Sequence, residues 1–302
     1  MRLLRRTNID FIGRRKFGFF FSLLLILIST VSLIIHKGPR YGVDFTGGTL
    51  IQIRFEKPIT IEEIRAALAK IGEASAIIQG FGKGNDFLIR VGVKKRMESF
   101  GEEVLKIMRR TYPHNPCQLL REELVGPLIG KELRKKALWA IIGSLLGILI
   151  YTSFRFDPRF GVGAVVALFH DVFITIGAIS ITNREVTIPV IAGLLTLAGY
   201  SVNDSIVVSD RIRENLRTLR GQGFDVIVNR GINDVLSRTV ITSITTIAVA
   251  LVLLILGAPA IRDFAFVLTV GILIGTYSSI FVVAPLVVEW EHRSPRRHRG
   301  GR

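Results

Sequence analysis

The chain has 302 residues, 49% of them hydrophobic, and a formal net charge of +16 at pH 7. Its longest apolar runs match the thickness of a bilayer core, which excludes an ordinary soluble globular domain. The basic residues cluster beside these runs, and few aromatic residues lie between the arginines of the terminal tails. This distribution argues against nucleic-acid binding and indicates contact with membrane lipid.

Motifs for catalysis and metal binding are missing from the sequence. Cys117 is the single cysteine, so an intrachain disulfide and a CxxC motif are both impossible. There is no Walker motif, no HExxH, no GxSxG and no ligand-spaced cluster of histidine and cysteine. We therefore expect no enzymatic activity, no catalytic residues, no cofactor and no metal site.

Six apolar segments predict an α-helical membrane protein with six transmembrane helices. The segments cover approximately residues 17–35, 137–154, 161–181, 187–209, 237–257 and 264–288. The first segment follows basic residues, as a signal peptide does. It is longer than a typical signal segment and lacks an obvious small-residue cleavage site, so we expect it to remain as a membrane anchor.

The distribution of arginine and lysine predicts the orientation of these spans. Basic residues are frequent at 1–16, in the 155–160 turn, in the 210–236 loop and in the 289–302 tail. With six spans these four segments lie on one side of the membrane, and the positive-inside rule makes that side cytoplasmic. We expect spans two to six to occupy 137–288, with both termini in the cytoplasm.

The long segment 36–136 is then extracytoplasmic, and its pattern predicts a folded domain. Alternating apolar residues predict a strand at 49–55, and Thr60 with Glu63 forms a capping box before a helix. The remaining predicted elements are strands at 74–81, 85–91 and 117–125 and a helix at 97–110. The order β-α-β-β-α-β predicts a small α+β ferredoxin-like domain between the first and second transmembrane helices.

Two charged residues interrupt successive apolar spans. Asp204 lies in the fourth predicted span, where a carboxylate costs about 2.5–3.5 kcal/mol or more to insert. Arg238 opens the fifth span, at a similar predicted depth. Such a pair indicates ion or proton handling, because a change in the distance between the two groups couples proton binding to conformation. The alternative is a structural ion pair that locks two helices.

Further polar side chains lie within the spans. Ser201 shares a helical face with Asp204, and Thr242 shares one with Arg238. Together with Asn203, these residues are candidates for a proton path. The alternative is that each hydroxyl bonds to its own backbone. His170 and Asp171, in the third span, predict either a continuation of that path or an interhelical hydrogen bond.

Three stretches carry a family resemblance. Residues 41–50 read YGVDFTGGTL, residues 199–215 read GYSVNDSIVVSDRIREN, and residues 238–243 read RTVITS. They resemble motifs of the bacterial SecD/SecF family of protein-export membrane proteins, within the RND superfamily. The length of the chain and the small outer segment resemble the SecF members, so we expect the SecD half on a separate chain.

The resemblance implies a function and a set of partners. It implies a heteromeric complex with SecD in the bacterial inner membrane, acting with the SecYEG channel and the SecA ATPase, with YajC and YidC as accessory partners. Such a complex uses the proton motive force to assist Sec-dependent translocation of preproteins after the SecA-driven step. By the same resemblance, Asp204 is the proton-binding carboxylate and Arg238 its essential partner, and their interplay moves the outer domain.

The resemblance also places residues 44–48 at the junction of the membrane region and the outer domain. These family-motif residues are Asp44, Phe45, Thr46, Gly47 and Gly48. From the residues alone, two successive glycines permit an unusual backbone turn before a strand, and Asp44 is suited to bonding nearby amides. A structural role and direct contact with substrate are both open.

Two other functions remain open at this stage. A non-transporting scaffold of the translocon would use the Asp204–Arg238 pair as a lock. Half of an RND small-solute exporter would need a roomy apolar or aromatic cleft outside the membrane, which the short 36–136 segment is poorly suited to supply.

Overall fold

The computed structural model describes residues 7–81, 85–92, 100–155, 158–219 and 221–294. It divides into two compact units. The helical unit comprises Met1–Arg40 with Trp139–Arg302, and the α/β unit comprises Tyr41–Leu138. The predicted tail beyond residue 294, residues 1–6 and the first three residues of the predicted 97–110 helix lie outside the described residues.

The elements follow the predicted order with a few additions. In chain order they are α1 (Arg15–Ile35), β1 (Arg40–Tyr41), α2 (Val43–Thr46), β2 (Gly48–Phe55), α3 (Ile61–Ala69), β3 (Ile77–Phe81), β4 (Asp86–Val91), α4 (Phe100–Thr111), β5 (Cys117–Val125), α5 (Pro127–Arg155), α6 (Pro158–Ile181), β6 (Glu185–Val186), α7 (Ile188–Thr218), α8 (Phe224–Leu256), α9 (Pro259–Ser278), a π-helical turn (Ser279–Val283) and α10 (Ala284–Arg293).

Five helices among the described residues are long and apolar enough to cross a bilayer. They are Arg15–Ile35, Pro158–Ile181, Ile188–Thr218, Phe224–Leu256 and the continuous run Ile261–Arg293. The predicted second span, 137–154, lies in α5, which is not one of these five. The first part of α5 is rich in lysine, arginine and glutamate, and its apolar part begins at residue 137. The helical unit therefore has the composition of a multi-pass membrane protein.

The segment 210–236, predicted as a loop, is mostly helical, and that prediction was wrong. Helix α7 continues to Thr218 and α8 begins at Phe224. A fall in hydropathy marks where a helix leaves apolar surroundings and does not require the helix to end. Here Ile212 and Ile232 bury an apolar seam between the two extensions, and Arg211 pairs with Asp234 at 2.9 Å.

The described part of the predicted basic N-terminal segment also packs against the helices. Residues 7–14, which we call the N-terminal strap, bury Phe11 and Ile12 against α7 and α8. Asn229 on α8 accepts hydrogen bonds from the backbone N–H of Phe11 at 2.8 Å and of Ile12 at 3.3 Å. One turn later, Asn233 bonds both backbone groups of Ile9 at 2.9 Å. The strap therefore holds the extension of α8.

Glycines allow close helix packing in the helical unit. A Cβ at Gly271 of α9 would collide with the Leu197 side chain of α7. A Cβ at Gly193 would lie 3.1 Å from Val267. Small residues at such crossings let helix backbones approach, which brings the polar residues of α7 and α9 together.

The α/β unit has a four-stranded sheet with the order β3-β4-β2-β5. Every neighbouring pair is antiparallel, with Ile51 of β2 opposite Ile89 of β4 and Glu122 of β5. Helices α3 and α4 pack on the sheet around a core that includes Ile53, Leu68 and Met108.

The capping box predicted for α3 is present in this unit. The Thr60 hydroxyl accepts from the Glu63 N–H at 3.3 Å, and the Glu63 carboxylate accepts from the Thr60 N–H at 2.9 Å. The Thr60 hydroxyl also donates to the Glu63 carboxylate at 2.9 Å. The bonds that the carboxylate accepts, first from the Thr60 backbone and then from its hydroxyl, lower the pKa of Glu63. Burial raises the pKa of the Cys117 thiol, which lies in the core.

Candidate functional site

Asp171 on α6 is the centre of a buried hydrogen-bond network. Its side chain is fully buried. One carboxylate oxygen lies 2.8 Å from His170 Nδ1. The other accepts from the Ser201 hydroxyl of α7 at 2.6 Å and from the Ser278 hydroxyl of α9 at 2.7 Å. One carboxylate thus ties three helices together, because its acceptor sites are matched with donors from different elements.

The network lies where α9 gives way to the π-helical turn Ser279–Val283. The hydroxyl oxygen of Ser278, the last residue of α9, also lies 3.1 Å from the Gly275 carbonyl oxygen. Single π-turns inside α-helices recur at functional sites, because they re-aim neighbouring side chains. Tyr277 continues the polar layer towards α1, where its hydroxyl donates to the Gly18 carbonyl at 2.6 Å.

Asp204 on α7 has the opposite surroundings. Its residue exposure is 2%, and its Oδ2 atom has no hydrogen-bond partner within the described residues. Ser205 beside it and Thr239 on α8 also bury hydroxyl oxygens that have no hydrogen-bond partner within the described residues. Buried polar groups without partners are costly, so such a cluster calls for a functional explanation.

The structure does not join the two charged residues into a direct ion pair. Asp204 is buried, whereas Arg238 is exposed and its guanidinium has no hydrogen bond or ion pair to any described residue. Arg238 still acts electrostatically on Asp204. It lines a cleft between α7 and α8, together with Asn203. The expected contact is therefore open in this conformation.

Ser201 bonds one of the two carboxylates and lies near the other in sequence. Its hydroxyl donates to Asp171, and it lies three residues before Asp204, one turn earlier on the same face of α7. The rise of 1.5 Å per residue puts the two positions about 4.5 Å apart along the helix. A hydrogen-bonded group and an unpartnered carboxylate thus occupy adjacent turns.

Two predicted path residues have other surroundings. Asn203 is exposed towards the cleft, away from the buried face that carries Asp204. The Thr242 hydroxyl donates to the Arg238 carbonyl at 3.0 Å, four residues back on its own helix. The Thr242 hydroxyl thus bonds to the backbone of its own helix, which is the alternative to a place on the proton path. The structure therefore does not bring these two residues into the Asp171–Asp204 layer.

Sequence reasoning did not select Ser278, Tyr277 or Thr239, whereas Ser205 shares the predicted polar face of Asp204. Small hydroxyl residues barely change the hydropathy of a window, so they leave little signal in an apolar span. Their position depends on how the helices pack and on the π-helical turn, which leave no local signal in the sequence.

The motif at 44–48 forms a short helix and a sharp turn within the α/β unit. Asp44, Phe45 and Thr46 lie in α2, and the Thr46 hydroxyl donates to the Gly42 carbonyl at 3.0 Å. Gly47 has φ 74° and Gly48 has φ 128°. A Cβ at Gly48 would also collide with the Val91 carbonyl oxygen, so glycine is required there by both conformation and space.

The same turn packs against the beginning of α5, inside the α/β unit. Arg134 donates to the Phe45 carbonyl at 3.1 Å, and its guanidinium lies 4.7 Å from the centre of the Tyr41 ring. A Cβ at Gly130 would lie 3.1 Å from the Gly47 nitrogen. The motif residues therefore fix the path of the backbone, and Phe45 is buried in doing so.

Comparison with known families agrees with this architecture. The model of the C-terminal region of the protein export membrane proteins SecD/SecF matches residues 104–293, and the model of the SecD/SecF GG motif matches residues 32–59. The chain belongs to the SecD/SecF family of protein export membrane proteins.

Similar full-length relatives are protein translocase subunits. The chain is 44% identical to protein translocase subunit SecF of Magnetococcus marinus, over 97% of this chain and 96% of that protein. It is 43% identical to the SecF subunit of Calditerrivibrio nitroreducens, over 93% of each chain. The prediction of a SecF-type member of the family is confirmed.

Two solved structures share the fold. One is the crystal structure of SecDF, a translocon-associated membrane protein from Thermus thermophilus, with a TM-score of 0.86 and 42% identity over 95% of this chain. The other is SecDF in a super-membrane-facing form, with a TM-score of 0.71 and 41% identity over 97% of this chain. The match spans 39% and 40% of those longer chains.

Proposed function

We propose that this chain is the SecF-type subunit of a SecDF complex in the bacterial inner membrane. The complex uses the proton motive force to assist Sec-dependent translocation of preproteins across that membrane, after the SecA-driven step. SecD is its direct partner, SecYEG and SecA supply the channel and the ATPase, and YajC and YidC are accessory partners. The names of the relatives and the shared SecDF fold support this role.

The proposed topology has six spans, with the apolar part of α5 as the second. Residues 137–154 contain no charged side chain, which is compatible with burial in hydrocarbon. Six spans place the basic segments and both termini in the cytoplasm. The α/β unit then faces the opposite side. Its strand order and antiparallel pairing support a ferredoxin-like domain.

The observation that carries the coupling proposal is the isolation of Asp204. A carboxylate in a membrane span that is buried and unpartnered is expensive, and it is retained where it serves a path for ions or protons. A proton that neutralises this group removes the cost of burying its charge. Protonation therefore favours the arrangement seen here, with Asp204 enclosed.

Arg238 supplies the alternative state. A deprotonated Asp204 gains from an approach of the guanidinium, because an ion pair offsets part of the cost of burying a charge. Proton release and closure of the Asp204–Arg238 gap are then two parts of one step. Each charge that crosses the membrane potential contributes about 2.3 kcal/mol per 100 mV, so the gradient is large enough to drive such a change.

The test is secretion of a reporter preprotein by cells carrying Asp204→Asn. Asp210→Asn, six residues along the same helix and hydrogen-bonded to Arg213, is the matched control. We expect secretion to be lost in Asp204→Asn and kept in the control, at equal membrane levels and equal co-purification of SecD. Normal secretion in Asp204→Asn would overturn the assignment.

The charge swap separates this mechanism from a structural lock. A lock needs only opposite charges, so the combination Asp204→Arg with Arg238→Asp would preserve secretion if the pair were structural. We expect the swap to abolish secretion, because an arginine at position 204 cannot release a proton at physiological pH.

For the motif at 44–48 we propose a structural joint rather than a substrate-binding surface. The backbone contacts of Gly47, Gly48 and Phe45 within the α/β unit support this role. Gly48→Ala is expected to unfold the α/β unit locally, and Gly92→Ala, which meets no neighbour within 4 Å, is the control. A secretion defect in Gly48→Ala with an unchanged proteolysis pattern would contradict a structural role.

A further inference from the structure

A second feature of the helical unit is the cleft between α7 and α8. Its volume is about 720 Å³, and its wall includes polar residues from the extensions of both helices. The Arg211–Asp234 ion pair sets the register of α7 against α8. From that level Arg238 lies four residues further along α8, which is about 6 Å, on the side towards Asn203. Arg217 lies six residues further along α7 in the opposite direction, about 9 Å, so the two backbone positions are about 15 Å apart along the helices. Because side chains tilt towards the N-terminus of their own helix and α7 and α8 are antiparallel, the two arginines lean towards each other.

The charges of this cleft do not balance. Its lining contains four arginines and two carboxylates, namely Arg211, Arg213, Arg217, Arg238, Asp210 and Glu214. Arg211 pairs with Glu214 at 2.7 Å and with Asp234, and Arg213 pairs with Asp210 at 2.8 Å. The guanidinium groups of Arg217 and Arg238 have no hydrogen bond or ion pair to the residues that the structure describes. Both lining carboxylates are thus engaged by other arginines.

The chemistry of the two unpaired groups selects the kind of ligand. Guanidinium groups present a planar fork of N–H donors that matches the oxygens of phosphate, and arginine is favoured wherever phosphate is recognised. A concave site concentrates the field of its charges more than a flat surface does. The apolar part of the wall, formed by Ile206, Val207 and Val235, lies beside the charged part. This combination fits an anionic group attached to an apolar body.

We propose that the cleft binds a phosphate-class anion between Arg238 and Arg217, as the headgroup of an anionic phospholipid or as free phosphate. The site is distinct from the Asp171–Asp204 layer, because its lining residues are half-buried or exposed and Asp204 is not among them. An anion beside Arg238 competes with Asp204 for the same guanidinium. Occupancy would therefore delay closure of the Asp204–Arg238 gap, a consequence that rests on the proposed function.

The binding test does not require translocation. The full chain, purified in detergent and depleted of lipid, is titrated with dioleoylphosphatidylglycerol, and bound lipid is counted by native mass spectrometry. Dioleoylphosphatidylcholine, which has no net charge, is the lipid control. We expect Arg217→Gln to weaken phosphatidylglycerol binding about tenfold, and Arg217→Lys to restore part of it. Arg230→Gln, an exposed arginine of α8 outside the cleft, is the protein control and is expected to leave binding unchanged.

Competition identifies the source of the phosphate. Displacement of phosphatidylglycerol by millimolar inorganic phosphate supports the site with the free anion as an occupant, and absence of displacement supports the lipid headgroup. Equal binding of the two lipids, or equal loss in Arg230→Gln and Arg217→Gln, would overturn the proposal, because either result indicates general attraction to a basic surface. These outcomes do not depend on secretion, so failure here leaves the coupling proposal intact.

Discussion

Asp171 and Asp204 are both buried carboxylates in the same bundle, and their surroundings differ completely. Asp171 contacts donors from its own helix and from two neighbours, including Ser201 and Ser278. Asp204 has an oxygen with no described partner and lies near hydroxyls that are also unpartnered. One group has its hydrogen bonds supplied by the fold, and the other does not.

The difference separates a structural role from a coupling role. Both oxygens of the Asp171 carboxylate are bonded, although the Nε2 atom of His170 beside it has no hydrogen-bond partner within the described residues. Such a bonded carboxylate stabilises one arrangement of its helices, because its loss leaves the serine donors unsatisfied. An unpartnered carboxylate adds cost to the arrangement in which it is buried, and that cost changes when it gains a proton or an arginine. We infer that Asp171 holds α6, α7 and α9 together while Asp204 responds to protons.

The largest effect on stability is expected at Asp171. Asp171→Ala leaves the Ser201 and Ser278 hydroxyls without their acceptor, and we expect the free energy of unfolding to fall by about 3 kcal/mol. Thermal unfolding of the purified chain measures this. Asp171→Asn retains an acceptor oxygen and should lose less. A normal melting temperature for Asp171→Ala would contradict a structural role for Asp171.

Two serine substitutions test the same difference between the surroundings of Asp171 and Asp204, with smaller expected effects on the free energy of unfolding. Ser278→Ala removes a donor from the Asp171 carboxylate, and we expect a loss of about 1.5 kcal/mol. Ser205→Ala removes a buried hydroxyl that has no described partner, and we expect no loss of stability. The melting temperature of Ser278→Ala should therefore be lower than that of Ser205→Ala when the two are measured side by side. The reverse order would mean that the Asp204 layer is also structural.

The third prediction concerns Asp204 itself. Asp204→Asn replaces a buried acid with a neutral group of the same shape, so the free energy of unfolding should stay within about 1 kcal/mol of the original value or rise. Denaturation in detergent at neutral pH provides the measurement. A loss comparable to that of Asp171→Ala would show that Asp204 has a stabilising partner.

The smallest effect is expected at Glu63, an exposed carboxylate outside the bundle. Its pKa is lowered in the folded chain by the hydrogen bonds from Thr60, so its stabilising contribution is present above the unfolded pKa of about 4.3 and is lost as the pH falls through the folded value. Glu63→Gln should therefore reduce the stability of the α/β unit at pH 7, and the difference should shrink as the pH falls. A difference that grows on acidification would contradict this sign.

The sequence predicted those parts of the molecule that rest on local pattern. The strand at Gly48–Phe55 and the Thr60–Glu63 capping box follow from alternation and spacing within a few residues. The lengths of α7 and α8 were underestimated, because hydropathy indicates which part of a helix suits the bilayer and not where the helix ends. In the candidate site, charge singled out Asp204 and Arg238 within apolar spans. Their separation, and the serine donors to Asp171, depend on the packing of distant helices and on the π-helical turn.

The most direct test of the central claim is proton uptake by Asp204, measured by infrared difference spectroscopy of the purified complex on acidification. The account predicts a protonated-carboxyl band that is absent in Asp204→Asn and present in Asp210→Asn. An unchanged band in Asp204→Asn would contradict the account and assign the proton to another carboxylate, with Asp171 the first to examine.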